Sequence, residues 1–217
     1  MAKGFGGLID TLAYGTLNEF LGMGRSNDGI SRPNKYEVTL FPPTGSAGSG
    51  ASGNSNIFTS IMGELLGNGT VRATGLKCES IDIPGRNIDT MEDSNIYGPE
   101  RQIATGVTFA DVSATFQCSS DMKEKKYLET WQRLAWNPQT WSVGYYDDYK
   151  GTVHIHTLDE QNEKRYGIEL VEAFPKNIEA QSLSYTTNDT YQTISCTFGY
   201  RYWKNLTDEA NLPKPLL

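Results

Sequence analysis

The sequence predicts a mainly β protein, an antiparallel β-sandwich or barrel of two sheets with one flanking α-helix. About seven or eight segments are rich in β-branched and aromatic residues, and the clearest of them alternate apolar with polar positions. Residues 121–136 instead carry apolar side chains at helical spacing. An isolated amphipathic helix of this kind needs a sheet on which to bury its apolar face. The length of 217 residues fits one large domain of this class.

Composition and charge exclude several functional classes. Hydrophobic residues make up 37% of the chain, which is enough for a packed core. The formal net charge of −7 argues against a protein that grips nucleic-acid phosphates through a broad basic surface. Cys78, Cys118 and Cys196 lack metal-ligand or redox spacing, so we expect reduced core thiols in a cytoplasmic product. No secretory leader or membrane-spanning apolar run is recognisable, so no membrane association is expected.

The N-terminal part begins with a predicted helix and linker, residues 1–31. Residues 7–21 carry a single apolar stripe, which packs either on its own domain or on a neighbouring subunit. Residues 23–31 are polar and contain glycine. The main β domain is then predicted over residues 32–203, with Tyr36–Phe41 as its first strand.

A Gly/Ser-rich insertion is predicted at residues 43–69, at the tip of a hairpin, with a short helix over residues 57–66. Three of its glycines spell the dinucleotide-binding pattern G-x-G-x-x-G: Gly48, Gly50 and Gly53. We reject that interpretation, because the pattern follows a double proline in a low-complexity run. The position about 20 residues later, where an acidic residue would hold the ribose, is neutral Ala73.

The central segment reads as one strand followed by the flanking helix. Residues 107–118 predict a single half-buried strand, since alternate apolar residues share a face: Val112, Ala114, Phe116 and Cys118. Asp121 and Glu124 have the spacing of a capping box, with Glu124 on the polar face of the helix. Trp131 lies on its apolar face, and Pro138 ends the helix.

The other elements are predicted from the alternation of apolar and polar residues and from residues typical of turns. A strand over residues 71–83 ends at Pro84-Gly85, and residues 86–103 form an extended loop or hairpin. Residues 141–149 are an aromatic, acidic loop, and 174–178 a turn. The remaining predicted strands are 152–158, 164–172, 180–185 and 191–203, the last two forming a hairpin. Residues 204–217 are a peripheral C-terminal tail.

A search for chemistry is mostly negative. His154 and His156 share one face of a strand but lack a third metal ligand, so polar residues on a solvated face are the better interpretation. No serine sits in a G-x-S-x-G elbow. Asp147 and Asp148 alone are a weak cation site. We predict no catalytic, cofactor-binding or metal-binding residue.

A run of residues in order resembles a known family. It comprises Arg32-Pro33-Asn34 before the first strand, Ile83-Pro84-Gly85, Tyr97-Gly98 with Arg101, Phe109-x-Asp111-Val112, Tyr127 with Trp131, Phe174-Pro175-x-Asn177-Ile178, and Tyr202-Trp203. Over residues 32–203 the chain resembles the tail tube protein of contractile-tailed bacteriophages. The insertion and the tail beyond Trp203 depart from that pattern.

The resemblance implies a structural virion protein rather than an enzyme. Members resemble a two-sheet sandwich with a flanking helix, and they form hexameric rings that stack into a tube inside a contractile sheath. The implied partners are further copies of the chain, the sheath protein, and baseplate and tail-terminator proteins. Viral DNA passes the lumen without specific binding. The implied location is the virion tail tube, assembled in the host cytoplasm, and no cofactor is implied.

The same resemblance assigns roles to individual residues. The loop that reaches the adjacent ring would contain Arg86, Asn87, Tyr97, Gly98 and Arg101. The core and fold residues would be Pro84, Gly85, Phe109, Phe116, Trp131, Phe198 and Trp203. Three alternatives stay open: a tube-end or baseplate-junction protein, a type VI secretion-like tube protein, and a ligand-binding or catalytic sandwich that uses the His154/His156 face. The insertion is expected to face outwards, towards a sheath.

Overall fold

The computed structural model describes residues 31–43, 68–94, 97–186 and 189–206, with side chains from residue 72 onwards in the second range. The predicted N-terminal helix, the Gly/Ser tract, the helix over residues 57–66 and most of the predicted tail lie outside the described residues. Within them the chain forms three helices, α1 (Asn68–Leu76), α2 (Lys123–Ala135) and α3 (Tyr146–Tyr149). Nine strands accompany them: β1 (Tyr36–Phe41), β2 (Cys78–Ile81), β3 (Asn87–Asp93), β4 (Arg101–Thr108), β5 (Val112–Gln117), β6 (Gly151–Leu158), β7 (Lys164–Ile178), β8 (Thr193–Gly199) and β9 (Tyr202–Asn205).

The long strand β7 joins two antiparallel sheets into a sandwich. Its first half pairs with β6 and β9, and β6 pairs in turn with β1. Its second half pairs with β8, which continues through β5 to β2. We call the first group sheet A and the second sheet B. No closed barrel forms among the described residues, so the prediction of a mainly β antiparallel fold is confirmed in its sandwich form.

The core lies between the two sheets and under α2. Sixteen hydrophobic residues are buried there, including Phe116, Tyr127, Leu128, Trp131, Leu170 and Phe198. Trp131 packs against Phe198 with ring centroids 6.2 Å apart, and its Nε1–H donates to the carbonyl of Tyr149 at 2.8 Å. Each large side chain buried in this way contributes about 1.5–3 kcal/mol relative to an exposed position. These contacts hold α2 on the sandwich.

The predicted single strand over residues 107–118 is wrong. Val107 and Thr108 end β4, residues 109–111 are irregular, and β5 begins at Val112. The alternation itself is confirmed, since Val112, Ala114 and Phe116 are buried. Periodicity reports which face of a strand is buried. It does not report that the chain leaves one sheet and enters another.

The predicted strand over residues 71–83 is mostly wrong, because residues up to Leu76 belong to α1 and the strand covers only Cys78–Ile81. Gly75 explains the packing. A Cβ at this position would lie 2.3 Å from the Val38 carbonyl oxygen, so the glycine allows α1 to approach the β1 backbone closely. A helix against this strand protects it from pairing with other chains.

Three further predictions fail around sheet B. Residues 174–178 are not a turn but the end of β7, whose register shifts between Pro175 and Asn177. Residues 180–185 form no strand. The predicted last strand is divided into β8 and β9, with Tyr202 41% exposed. A bulge accommodates Pro175, which cannot donate to the ladder.

Candidate assembly surfaces

The β3–β4 hairpin stands apart from the sandwich as a separate two-stranded sheet. The predicted segment 86–103 is thus a hairpin rather than an extended loop. Every residue of β4 is exposed, and so is nearly every residue of β3. Yet the hairpin presents apolar side chains at cross-strand positions: Ile88 opposite Val107, and Met91 opposite Ile103. Between 40% and 60% of each of these four residues is exposed.

The two apolar pairs lie on opposite faces of the hairpin. Ile88 and Met91 are three residues apart in β3, and successive side chains of a strand alternate between faces. The extra residue of the bulge between the two pairs belongs to β4. An isolated two-stranded hairpin is at best marginally stable in water. A hairpin with apolar pairs on both faces is therefore a surface that neighbouring molecules can cover from two sides.

The residues predicted for the inter-ring loop occupy the base and the tip of this hairpin. The Arg86 guanidinium lies 4.5 Å from the centroid of the Trp203 ring, and Trp203 Nε1–H donates to the Gly85 carbonyl at 3.2 Å. Asn87 is the first residue of β3. These contacts tie the hairpin base to β9 in sheet A.

At the tip, Tyr97 is 91% exposed and Gly98 adopts a φ of +153°, which favours glycine. Arg101 begins β4 and pairs with Asp93 across the hairpin, with 2.8 Å between Nη2 and Oδ2. The sequence patterns missed the four apolar residues of the strands. The signal in the sequence was that these apolar residues lie opposite one another in the two strands. The bulge shifts the register between the two pairs, so a search for simple apolar–polar alternation does not find them.

The residues predicted for the core lie at different depths. Phe116, Trp131 and Phe198 are fully buried. Pro84 is also buried, whereas Gly85 is exposed. Phe109 and Trp203 are half-buried, and the Phe109 ring packs against Tyr200 with centroids 6.3 Å apart.

The histidine pair lies on the outward face of sheet A but is half-buried rather than solvated. His154 Nε2 is 3.8 Å from Glu169 Oε2, and the His154 ring packs against Phe41. Burial lowers the pKa of both imidazoles, and for His154 the nearby Glu169 opposes that shift. Among the described residues no three His, Cys, Asp or Glu side chains are arranged to hold a metal ion.

The cysteines are free thiols, with Cys196 buried and Cys78 and Cys118 half-buried. Burial raises the pKa of Cys78 and of Cys196 to about 12, which leaves both unreactive at neutral pH. An open groove of about 600 Å³ runs between residues 179–185 and 190–195, and Glu179 and several serine and threonine residues line it. Of the helices in the described ranges, none is long and apolar enough to cross a membrane.

Comparison with known proteins identifies relatives of the whole β domain. A family model described as phage tail tube protein matches residues 31–206. No curated protein sequence matches the chain. A chain in the sheath–tube complex of an extracellular contractile injection system is 11% identical, with a TM-score of 0.53 over 86% of this chain and 96% of that one.

Two further structures are similar to the same extent. A chain of the tube-terminating cap of the anti-feeding prophage is 14% identical, with a TM-score of 0.54 over 82% of this chain and 91% of that one. A chain of the sheath/tube terminator of the contractile injection system is 11% identical, with a TM-score of 0.54 over 83% and 99%. At these identities the structural likeness shows a shared fold, and the family match carries the assignment.

Proposed function

Because this chain belongs to the phage tail tube protein family, which makes it a structural protein and not an enzyme, we propose that it forms hexameric rings. The rings stack into the inner tube of a contractile tail, and the tube conducts DNA during ejection. The tube subunit is part of the virion and is assembled in the host cytoplasm. Its partners are further copies of itself, a tail sheath, and baseplate and terminator proteins. The similar structures come from a sheath–tube complex, a tube-terminating cap and a sheath/tube terminator.

The β3–β4 hairpin is the observation that supports this proposal best. It extends from the sandwich, it carries an exposed apolar pair on each face, and its base is fixed on Trp203. In a stacked tube each hairpin would lie between copies of the chain, which would cover both faces. Arg86, Asn87, Tyr97, Gly98 and Arg101 would then contribute its base and tip contacts to the adjacent ring.

The ends of the two sheets fit a closed ring. The edge strands β2 and β9 contain only four residues each, so each offers a short edge to a neighbour. The third edge strand, β1, has six residues and packs against α1. Head-to-tail contacts between identical subunits close into a ring when their rotation allows it. Closure removes exposed sheet edges, which otherwise invite uncontrolled association.

Negative-stain electron microscopy of the purified chain tests the proposal across protein and salt concentration. The expected result is hexameric rings or hollow tubes, spontaneously or after addition of tail-initiation proteins. A particle that stays monomeric with initiators present contradicts the proposal.

Replacing Ile88 and Met91 together by serine tests the hairpin. Because both side chains are more than half exposed, the double variant keeps the thermal stability of the subunit. It loses one apolar partner on each face, and we expect it to form no tubes. Thr90→Ser, in the same strand, is the matched control and is expected to assemble normally. Normal tubes from the double variant would show that the hairpin faces are not contacts.

A further inference from the structure

We propose that the channel is lined by the outward face of sheet B, and that DNA slides on a surface of neutral hydroxyl groups. This inference rests on the proposed function and adds which face of the subunit meets the DNA. The hydroxyl face, as we call it, consists of outward residues on β2, β5 and β8: Ser80, Ser113, Thr115, Thr193, Ser195 and Thr197. Their neighbours in β5 and β8, among them Ala114, Phe116 and Cys196, are buried in the core.

The strand register brings these hydroxyl groups together in rows. Ser80 lies opposite Thr115, and Thr115 lies opposite Ser195, with 3.3 Å between Thr115 Oγ1 and Ser195 Oγ. In the next row Ser113 lies opposite Thr197. The rows therefore form one continuous surface across three strands, and β-branched threonines keep it stiff.

Charge at the borders of the hydroxyl face is acidic. The Asp82 backbone N–H donates to the Ser113 carbonyl at 3.1 Å, which extends the pairing of β2 with β5 by one outward residue. The Glu179 N–H donates to the Ser195 carbonyl at 2.9 Å and extends the opposite edge in the same way. Lys176 lies near one end, where its Nζ is 2.6 Å from Asp111 Oδ2. At the other end of β2 the Gln117 N–H donates to the Lys77 carbonyl at 2.9 Å, and Lys77 Nζ is 2.6 Å from Glu124 Oε1, so this lysine is paired as well.

Sheet A has the opposite character on its outward face. Lys164 Nζ is 3.1 Å from Glu37 Oε2, and Lys204 Nζ is 3.1 Å from Glu169 Oε2. His154 lies beside Glu169. Lysines on an exposed face can exchange these partners for phosphate, with release of counterions. Sheet A would therefore present two lysines to DNA on its own strands, whereas sheet B presents neutral hydroxyl groups on its strands and keeps its lysines at its ends.

Cysteine labelling of assembled tubes tests the orientation. Ser113→Cys and Thr197→Cys are prepared separately, each with the unmodified chain as the background for the native cysteines. Each is treated with a small maleimide and with a maleimide coupled to a folded protein wider than the hole seen by microscopy. We expect both reagents to react with unassembled subunits. In tubes, only the small reagent is expected to react.

Each other outcome has a defined meaning. Reaction of the protein-coupled reagent with assembled Ser113→Cys or Thr197→Cys tubes overturns the inference, because the hydroxyl face is then external. Protection from both reagents also overturns it, because the face is then a subunit interface. Thr39→Cys, on the outward face of sheet A, overturns it if that variant shows the channel pattern. Absence of tubes from the unmodified chain with initiators contradicts the proposed function itself.

Discussion

Glu124 is a buried anionic residue near the start of α2. Its side chain is 3% exposed, and it accepts hydrogen bonds from Lys77 Nζ at 2.6 Å, the Ser119 N–H at 2.8 Å and the Ser119 hydroxyl at 2.7 Å. Burial alone would raise the pKa of this carboxyl, but the hydrogen bonds outweigh burial and lower the pKa to about 2. The carboxylate thus joins the strand-to-helix connection to the segment that follows α1.

Replacing Glu124 by glutamine should lower the free energy of unfolding at neutral pH by about 1–3 kcal/mol, because charged hydrogen bonds are lost. The folded-state pKa lies below the ordinary value of 4.5. The contribution of the carboxylate is therefore complete above pH 4.5 and disappears as the pH falls towards 2. Denaturant unfolding of the unmodified chain and the variant at pH 7 and pH 3 measures the difference, which should be smaller at pH 3.

Glu129→Gln is the matched control in the same helix. Its carboxylate is 41% exposed and lies 4.0 Å from Lys125 Nζ, so its loss should change stability by less than about 0.5 kcal/mol. Equal stability losses for the two variants, independent of pH, would contradict the role of Glu124.

Sequence patterns misplace Glu124 for a physical reason. Helical spacing puts it on the polar face, and its distance from Asp121 suggests a capping box. In the structure Met122 is the N-cap residue, in a left-handed conformation and without a side-chain cap. Glu124 reaches back to Ser119 instead. Its partner Lys77 is 47 residues away in the sequence, and no local pattern reports such a contact.

Strand β6 and helix α2 are in close contact at Gly151, which lies against the indole ring of Trp131. A Cβ here would lie 2.5 Å from both the Phe41 carbonyl oxygen and Trp131 Cζ2. Gly151→Ala should therefore lower the free energy of unfolding by about 1–3 kcal/mol, because the strand and the indole must move apart. Chemical unfolding followed by tryptophan fluorescence measures the loss.

Gly85→Ala provides the control, since no atom lies within 4 Å of a Cβ built at this position. It should change stability by at most about 0.5 kcal/mol. A Gly151 variant as stable as this control would show that the helix and strand separate without cost.

Element prediction succeeded where one local signal was sufficient. Helix α2 and strands β1 and β6 lie where periodicity placed them, because each buries one face against the same core. It failed at α1, whose position depends on the contact of Gly75 with β1. It failed again at Pro175, where a bulge keeps in β7 a segment that looks like a turn. Both errors concern contacts between distant segments, which sequence spacing does not contain.

At the scale of the whole molecule, the subunit separates its surfaces by chemistry. The hairpin presents apolar pairs, the outward face of sheet A carries ion pairs, and the hydroxyl face is neutral with acidic borders. The net charge of −7 predicts that the surface is acidic on average. It does not predict this distribution, which depends on which side chains the strand register brings together. The division into residues 1–31, 32–203 and 204–217 remains a prediction.

A single lysine on the hydroxyl face should convert the channel into a DNA-binding surface. Thr115 lies in β5, the middle strand of that face. Thr115→Lys therefore adds one cation per subunit to the face, and the ring repeats it. Tubes of this variant should retain short duplex DNA on the order of tenfold more strongly than the unmodified tubes at low salt, with a steeper salt dependence. Co-sedimentation of labelled DNA across a salt series measures both quantities.

Thr115→Gln is the matched control, because it removes the same hydroxyl and adds a long neutral side chain. It separates the effect of charge from that of size, and its tubes should retain no additional DNA. If the lysine and glutamine tubes retain DNA equally, DNA does not meet this face of the subunit.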